Sequence, residues 1–367
     1  MMSINRTKRT VVMITECPYS GVLRSMLVSA KMFSATGYDI IFVVPKQSRD
    51  RYGENAADNL KLLRRFGKVI CTPLRRRYRY IIMDAYMLKR ILSKFDYATH
   101  VISYAGYAGK LCRLLYKFKY IMSLYHVPQC IDFARRGRLV GLVEFCFEKY
   151  LSKYVTKFIA CGSSEAFILN TVFKVPPKNI LLIHNSVDCS IDMDSSAATR
   201  NIKYLIVSRV AADKRIEPVL RAASVMGILS QFVVIGSGCE LEGLKCRYAQ
   251  ATFLGRLPND EIVKYLKRSS FLISNSMIEG LPFSVLEAMA YGVVPVLSAV
   301  EGHTDIIIDG CNGFLFSSTR DMYNVLCKIN FLPQLDLEAM RVRATETVRL
   351  LNIESFNSFC NSFNYDK

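Results

Sequence analysis

The chain has 367 residues, of which 51% are hydrophobic and 22% charged; this composition fits two globular domains and excludes a disordered or fibrous protein. The net charge of +18 lies in the first half, because residues 1–190 hold 31 Lys and Arg against 12 Asp and Glu whereas the rest hold 18 against 19. Such a field attracts an anionic partner, and nucleic acid, an anionic membrane and phosphorylated substrates all stay open at this point.

The twelve cysteines lie singly along the chain, with no C-x-x-C pair and no Cys/His cluster at the spacing of zinc ligands. We therefore expect reduced thiols, a cytoplasmic protein and no metal site. The apolar run at residues 11–14 is too short for a signal peptide, and no apolar run is long enough to cross a bilayer as a helix.

The apolar pattern begins a β-α-β unit twice, once in each half of the chain. The predicted strand, helix and strand lie at residues 10–15, 22–36 and 38–45 in the first half, and at residues 203–209, 217–229 and 231–238 in the second. Further strands are predicted at residues 101–104, 121–125, 158–161, 180–183, 271–274 and 293–297. Because a β-α-β unit begins in each half, the sequence predicts two parallel α/β domains. Ligands of such domains bind beyond the carboxyl ends of the strands.

A polar stretch at residues 188–201 has the composition of a linker between the two sets of strands. It predicts a first domain over residues 1–190 and a second over 191–345. Residues 346–367 are predicted to form a terminal helix.

Two carboxylates lie in one predicted strand-loop-helix segment of the second half. Glu279 falls in the loop and Glu287 one turn inside the helix, which Pro282 and Ser284 start and Gly292 ends. Both carboxylates can reach one cleft and accept hydrogen bonds from sugar hydroxyls, while the first amides of the helix can hold an anion.

Two cations follow another predicted strand of the same half. Arg209 ends that strand and Lys214 lies in the loop after it. Positive charge there can neutralise a diphosphate leaving group, although each residue taken singly is also consistent with a solvated loop charge.

In combination, these motifs resemble the large retaining glycosyltransferase family 4. The resemblance rests on Arg209-x4-Lys214, on Glu279-x7-Glu287 within EGLPFSVLEAMAYGVVPV, on DGCNGFLF at residues 309–316 and on NSVD at residues 185–188. It implies an α/β protein of GT-B fold, with two Rossmann-like domains facing each other across a cleft. It also implies that the terminal helix, residues 346–367, packs back on the N-terminal domain.

The resemblance also implies roles for individual residues. Arg209 and Lys214 would bind the donor diphosphate, Glu287 the ribose and Glu279 the transferred sugar. Further donor contacts would come from Gly280, from the backbone at Phe283, Ser284 and Val285, and from Gly21 in the loop after the first strand. Gly21 stands where the family has a glycine pair, but Ser20 replaces its neighbour. His126, at the end of a strand, would lie beside the reacting sugar.

For the reaction, the resemblance implies transfer from a UDP- or GDP-sugar to a glycan or lipid-linked acceptor, with retention of configuration and without a metal or other cofactor. We expect a role in surface polysaccharide or lipopolysaccharide biosynthesis. The basic first domain is expected to contact the anionic inner face of the cytoplasmic membrane, and nucleic acid is not the expected partner.

Several signals support other interpretations. Asp192-Met-Asp194 resembles a metal-binding motif but lies in the linker, and Gly236-Ser-Gly238 lacks the third glycine of a dinucleotide-binding loop. The basic segments at residues 75–80 and 133–154 suit a nucleic-acid groove or a solvated face as well as a membrane. A non-catalytic GT-B module that binds a nucleotide sugar, and another GT-B enzyme such as a sugar-nucleotide epimerase, are the alternative functions.

Overall fold

The computed structural model of the chain describes residues 9–18, 20–45, 56–72, 81–95, 98–104, 106–115, 121–125, 138–187 and 200–363. These residues form two compact units. Unit 1 is Met1–Asn185 together with Ser355–Lys367, and unit 2 is Ser186–Glu354. The predicted D-x-D at residues 192–194 and the basic segment at residues 75–80 lie outside the described residues.

Unit 1 contains a parallel sheet of seven described strands in the order β3-β2-β1-β4-β5-β6-β7. The strands are β1 Thr10–Thr15, β2 Asp39–Pro45, β3 Lys68–Thr72, β4 His100–Tyr104, β5 Ile121–Tyr125, β6 Lys157–Ala160 and β7 Ile180–Leu182. The helices that follow them are α1 Ser20–Ala35, α2 Ala56–Arg64, α3 Ile81–Leu92, α4 Gly106–Leu115, α5 Arg138–Leu151 and α6 Ser163–Thr171. β1 and β4 are fully buried, as expected for central strands of a sheet covered by helices on both faces.

Unit 2 repeats the arrangement with six described strands in the order β10-β9-β8-β11-β12-β13, all parallel. The strands are β8 Ile202–Val207, β9 Phe232–Ile235, β10 Thr252–Gly255, β11 Ser269–Ser274, β12 Val294–Ser298 and β13 Phe314–Phe316. The helices are α7 Ile216–Val225, α8 Leu241–Arg247, α9 Asn259–Lys267, α10 Phe283–Ala290, α11 Thr319–Asn330 and α12 Gln334–Phe363. One buried apolar cluster, which includes Tyr204, Phe232 and Phe271, forms its core.

Both predicted β-α-β openings are present, as β1-α1-β2 and β8-α7-β9. The sequence did not predict β3, β10 or β13. β3 and β10 lie at sheet edges and are partly exposed, and β13 has only three residues, so none of them carries a long apolar run. Among the described residues, no helix combines the length and apolar character needed to cross a membrane.

The end of α12 belongs to unit 1 and packs there through aromatic rings. Phe359 and Phe363 lie edge-on to Phe33 of α1, with ring centroids 4.6 and 4.8 Å away. The Tyr38 hydroxyl donates to the carbonyl oxygen of Phe363 at 3.1 Å, and the Ser355 hydroxyl donates to that of His184 at 2.7 Å. The last turns of α12 are thus part of the core of unit 1.

Replacing Phe359 by Ala tests this packing. Because the ring is buried against Phe33, we expect the free energy of unfolding to fall by about 3–5 kcal/mol. Phe356→Ala, on the same helix but with a side chain 42% exposed, is the matched control and should cost about 1 kcal/mol or less. Calorimetric unfolding measures both, and equal losses in the two variants would contradict the packing role.

Candidate functional site

The candidate site of unit 2 lies where the winding of its sheet reverses. β8 is followed by β9 on one side of it and pairs with β11 on the other side. The connections from β8 and β11 therefore leave in opposite directions and open a crevice beyond the carboxyl ends of these two strands, where doubly wound proteins bind ligands. A pocket there is lined by residues from both connections, which include Ser208, Lys214, Ser274, Asn275, Glu279 and Ser284.

The loop after β8 is supported by two glycines from the loop after β9. A Cβ on Gly236 would lie 1.8 Å from the carbonyl oxygen of Ser208, and one on Gly238 would lie 2.1 Å from that of Val210. The amide of Val210 also donates to the carbonyl oxygen of Ser237 at 3.0 Å. Gly236 and Gly238 therefore serve close backbone packing beside Arg209, which explains this G-x-G without a dinucleotide.

The position of Lys214 is set by a strained neighbour. A 3-10 turn at Ala212–Lys214 ends at Arg215, whose φ of 46° and ψ of 46° lie in the left-handed region. This conformation costs a non-glycine residue about 1–2 kcal/mol. The Asn275 side-chain amide donates to the carbonyl oxygen of Arg215 at 3.0 Å and so stabilises the turn from the neighbouring loop.

The loop after β11, which carries Glu279, is held from three sides. The amide of Met277 donates to the carbonyl oxygen of Asp213 at 2.9 Å, and the Ser298 hydroxyl donates to that of Ser276 at 2.8 Å. On the third side lies Gly302, where a Cβ would stand 1.2 Å from the carbonyl oxygen of Gly280. Glu279 is therefore presented by a fixed backbone.

Four charged side chains meet between these two loops. The Lys214 ammonium pairs with the carboxylate of Glu279 and lies 3.9 Å from that of Asp213. The Arg209 guanidinium donates to Asp213 at 2.8 Å. Lys214 and Glu279 are mostly buried, at 12% and 18% side-chain exposure, whereas Arg209 is 58% exposed. The site thus combines two cations with two carboxylates, and Lys214 and Glu279 form its inner pair.

Helix α10 adds backbone amides and a further carboxylate. It starts after Pro282, and Ser284 in its first turn lines the pocket. The amide of Val285 donates to the carbonyl oxygen of Pro282 at 3.1 Å, so it is less available to a ligand than those of Phe283 and Ser284. Glu287 lies one turn further and is partly buried.

A fully buried histidine, His303, also belongs to this neighbourhood. Its Nδ1 lies 2.8 Å from the carbonyl oxygen of Ser298, which accepts only, so Nδ1 carries the proton. Its Nε2 is buried without a hydrogen-bond partner among the described residues. Burial lowers the pKa of His303, while the nearby charge of Glu279 acts in the opposite direction and that of Lys214 in the same one. The ring is therefore neutral at neutral pH.

The structure brings together most of the site residues predicted from the sequence. Those in unit 2 lie on the loop after β8, the loop after β11 and the start of α10: Arg209, Lys214, Glu279, Gly280, Phe283, Ser284, Val285 and Glu287. The expectation that Gly21 lies in a loop was wrong, because α1 already begins at Ser20. His126 lies outside the described residues.

Sequence reasoning missed the residues that support the site. They are Asp213, Arg215, Asn275, Gly302 and His303. Apart from the polar character of the loops, the sequence carries one signal for them, a Gly-His pair soon after the β12 segment. Gly302 contacts Gly280, more than 20 residues earlier, which spacing does not reveal, and the hydrogen bond of His303 with Ser298 depends on the fold of the loop after β12.

Comparison with known proteins identifies the two halves separately. The family model described as Glycosyl transferases group 1 matches residues 191–347, and the model described as Glycosyltransferase Family 4 matches residues 19–191. The O-antigen biosynthesis glycosyltransferase WbnH of Escherichia coli is 32% identical over 265 residues, which cover 70% of this chain and 73% of that relative.

A second relative and a solved structure extend the comparison. The UDP-Gal:alpha-D-GlcNAc-diphosphoundecaprenol alpha-1,3-galactosyltransferase of Escherichia coli is 23% identical over 304 residues, covering 76% of this chain and 75% of the relative. The structure of Anabaena Alr3699/HepE in complex with UDP and glucose has a TM-score of 0.74 at 12% identity and covers 96% and 100% of the two chains. The likeness to solved structures confirms the predicted GT-B fold.

Replacing Gly302 by Ala tests the support of the Glu279 loop. The added Cβ would clash with the carbonyl oxygen of Gly280, and the φ of +81° already disfavours alanine. Gly310→Ala is the matched control, since Gly310 has a φ of +71° but no atom within 4 Å of the added Cβ. We expect the control to lose about 1–2 kcal/mol of unfolding free energy and Gly302→Ala to lose more than about 3 kcal/mol in calorimetry. Equal losses would show that the contact with Gly280 does not hold the loop.

Proposed function

Because the chain belongs to the Glycosyl transferases group 1 family and is a glycosyltransferase, we propose that it moves a sugar from a UDP-sugar to a lipid-linked glycan acceptor. The observation that carries this proposal is the meeting of Arg209, Lys214 and Glu279 at the switch point of unit 2. Support for the donor comes from the neighbour that holds UDP and glucose. Support for the acceptor and for a role in O-antigen or related surface-polysaccharide assembly comes from the names of the two Escherichia coli relatives.

Most of the charged side chains and the exposed amides of the site have a proposed contact with the donor. Arg209 and Lys214 bind the diphosphate, because cations form charge-assisted hydrogen bonds with phosphate oxygens. Glu287 accepts hydrogen bonds from the ribose, and Glu279 from hydroxyls of the transferred sugar. Gly280 and the amides at the start of α10, above all those of Phe283 and Ser284, contact the sugar and the phosphates. In unit 1, Gly21 and His126 stay candidates for contacts with the phosphates and with the reacting sugar.

We propose a reaction that retains the anomeric configuration and proceeds without a metal ion. The bond between the anomeric carbon and the diphosphate oxygen breaks, and its electron pair goes to the diphosphate. Arg209 and Lys214 stabilise that developing negative charge, as a divalent cation does in other enzymes. The acceptor oxygen then bonds to the anomeric carbon on the face that the diphosphate left, and the acceptor proton passes to a phosphate oxygen.

We further propose that unit 1 contacts the anionic inner face of the cytoplasmic membrane through α3, α4 and α5, called here the helical face. α4 packs between α3 and α5. Exposed apolar side chains on this face are Ile82, Met83, Tyr86, Leu114, Leu142, Val143 and Tyr150. Lys89, Arg90 and Lys149 are exposed among them. Apolar side chains bordered by cations favour an anionic lipid surface, where a lipid-linked acceptor lies.

Removing the Lys214 ammonium tests the diphosphate site. We expect Lys214→Ala to weaken the binding of the preferred nucleoside diphosphate about tenfold or more, because a charge-assisted hydrogen bond is lost. Calorimetric titration with UDP, GDP, ADP and NAD measures this and identifies the preferred base. Lys264→Ala, which removes an exposed lysine of α9, is the control and should leave the affinity within about twofold. Equal affinities of Lys214→Ala and the wild type would contradict the assignment.

Charge inserted into the helical face tests membrane contact. We expect Leu142→Asp with Val143→Asp to reduce co-sedimentation with vesicles of phosphatidylcholine and phosphatidylglycerol at least about fivefold, since both the apolar contact and the attraction to anionic lipid are weakened. Val225→Asp, at an exposed position of unit 2, is the control. If the wild type sediments no better with these vesicles than with phosphatidylcholine alone, the helical face does not bind anionic lipid.

A further inference from the structure

Both cations assigned to the diphosphate already have carboxylate partners in the structure. Arg209 pairs with Asp213, and Lys214 pairs with Glu279 and lies near Asp213. Two positive and two negative side chains leave the cluster without net charge. A diphosphate therefore enters a site in which both cations are already paired with carboxylates.

The inner pair of Lys214 and Glu279 opposes the binding of a phosphate more than the exposed pair of Arg209 and Asp213 does. Arg209 is mostly exposed, so water and salt screen its contact with Asp213 and a phosphate can take over at little cost. Lys214 and Glu279 are mostly buried, where charges interact more strongly. When Lys214 turns to a phosphate, Glu279 loses a cation that few water molecules can replace.

Glu279 cannot avoid this competition by moving away with its loop. The hydrogen bond from the amide of Met277 to the carbonyl oxygen of Asp213 fastens the Glu279 loop to the Lys214 loop. The contact between Gly302 and the backbone of Gly280 holds the same loop at a second point. The carboxylate therefore stays beside Lys214, and only the side chains can exchange partners.

We propose that Glu279 competes with the donor diphosphate for Lys214, and that this competition releases the nucleoside diphosphate once the sugar has been transferred. The inference rests on the proposed function and gives Glu279 a second role, in product release. While the donor is intact, hydroxyls of the sugar donate hydrogen bonds to the carboxylate and replace Lys214 as its partner. After transfer the sugar leaves with the acceptor, and Glu279 faces the diphosphate without those donors.

The change in charge of the phosphate on transfer also favours release of the nucleoside diphosphate. Transfer turns the phosphate ester of the donor into a terminal phosphate, which carries more negative charge near neutral pH. A fixed carboxylate beside it repels this product more than it repels the intact donor. Return of Lys214 to Glu279 restores the neutral cluster and leaves the site ready for the next donor.

Binding of UDP to five variants tests the inference by calorimetric titration. We expect Glu279→Gln to bind UDP about threefold to tenfold more tightly than the wild type, because the competing anion is removed, while its turnover falls. In the Lys214→Ala background the same substitution should increase the affinity by a smaller factor than in the wild type, since no ammonium is left to compete for and only the direct repulsion between carboxylate and phosphate is removed. Glu261→Gln, which removes an exposed charge of α9, is the control for net charge.

The outcomes separate this inference from the proposed function. If the wild type binds UDP and Glu279→Gln binds it equally or more weakly, the competition is overturned and the proposed function stands. If the wild type binds none of UDP, GDP and ADP, both are overturned. Glu279→Asp keeps the charge and should bind UDP within about twofold of the wild type. If Glu279→Asp binds UDP as tightly as Glu279→Gln does, the inference is also contradicted.

Discussion

A backbone hydrogen bond from Met277 to Asp213 fastens together the two loops on which the site of unit 2 depends. These loops follow β8 and β11, neighbouring parallel strands whose connections leave in opposite directions. The sheet therefore opens a crevice at this point, and the hydrogen bond fixes its width. It also keeps Lys214 and Glu279 within reach of each other, so the more buried ion pair of the site follows from the topology of the sheet.

Around these loops the protein uses small residues and neutral polar groups where larger or charged ones would move the backbone. Gly236 and Gly302 let neighbouring loops approach the backbone directly, and neither position has room for a Cβ. Asn275 stabilises the strained turn at Arg215. His303, kept neutral by burial, donates a hydrogen bond to the carbonyl oxygen of Ser298. A rigid support of this kind lets the side chains exchange partners while the backbone stays in place.

The sequence predicts the central part of this structure well and the supporting part poorly. β1 and β11 carry apolar runs with turn residues after them, and Arg209, Lys214 and Glu279 stand at a spacing that resembles a known family. The edge strands β3 and β10 are short and partly exposed, so their apolar pattern is weak. The role of Gly302 depends on a contact with Gly280, more than 20 residues earlier in the chain, and nothing in its local sequence requires that contact.

The most direct test of the account is a crystal structure of the protein with bound UDP. We expect a phosphate oxygen within hydrogen-bond distance of the Lys214 Nζ, with the contact between Lys214 and Glu279 broken and the backbone of both loops unmoved. UDP bound elsewhere, or bound with the ion pair between Lys214 and Glu279 intact, would contradict it.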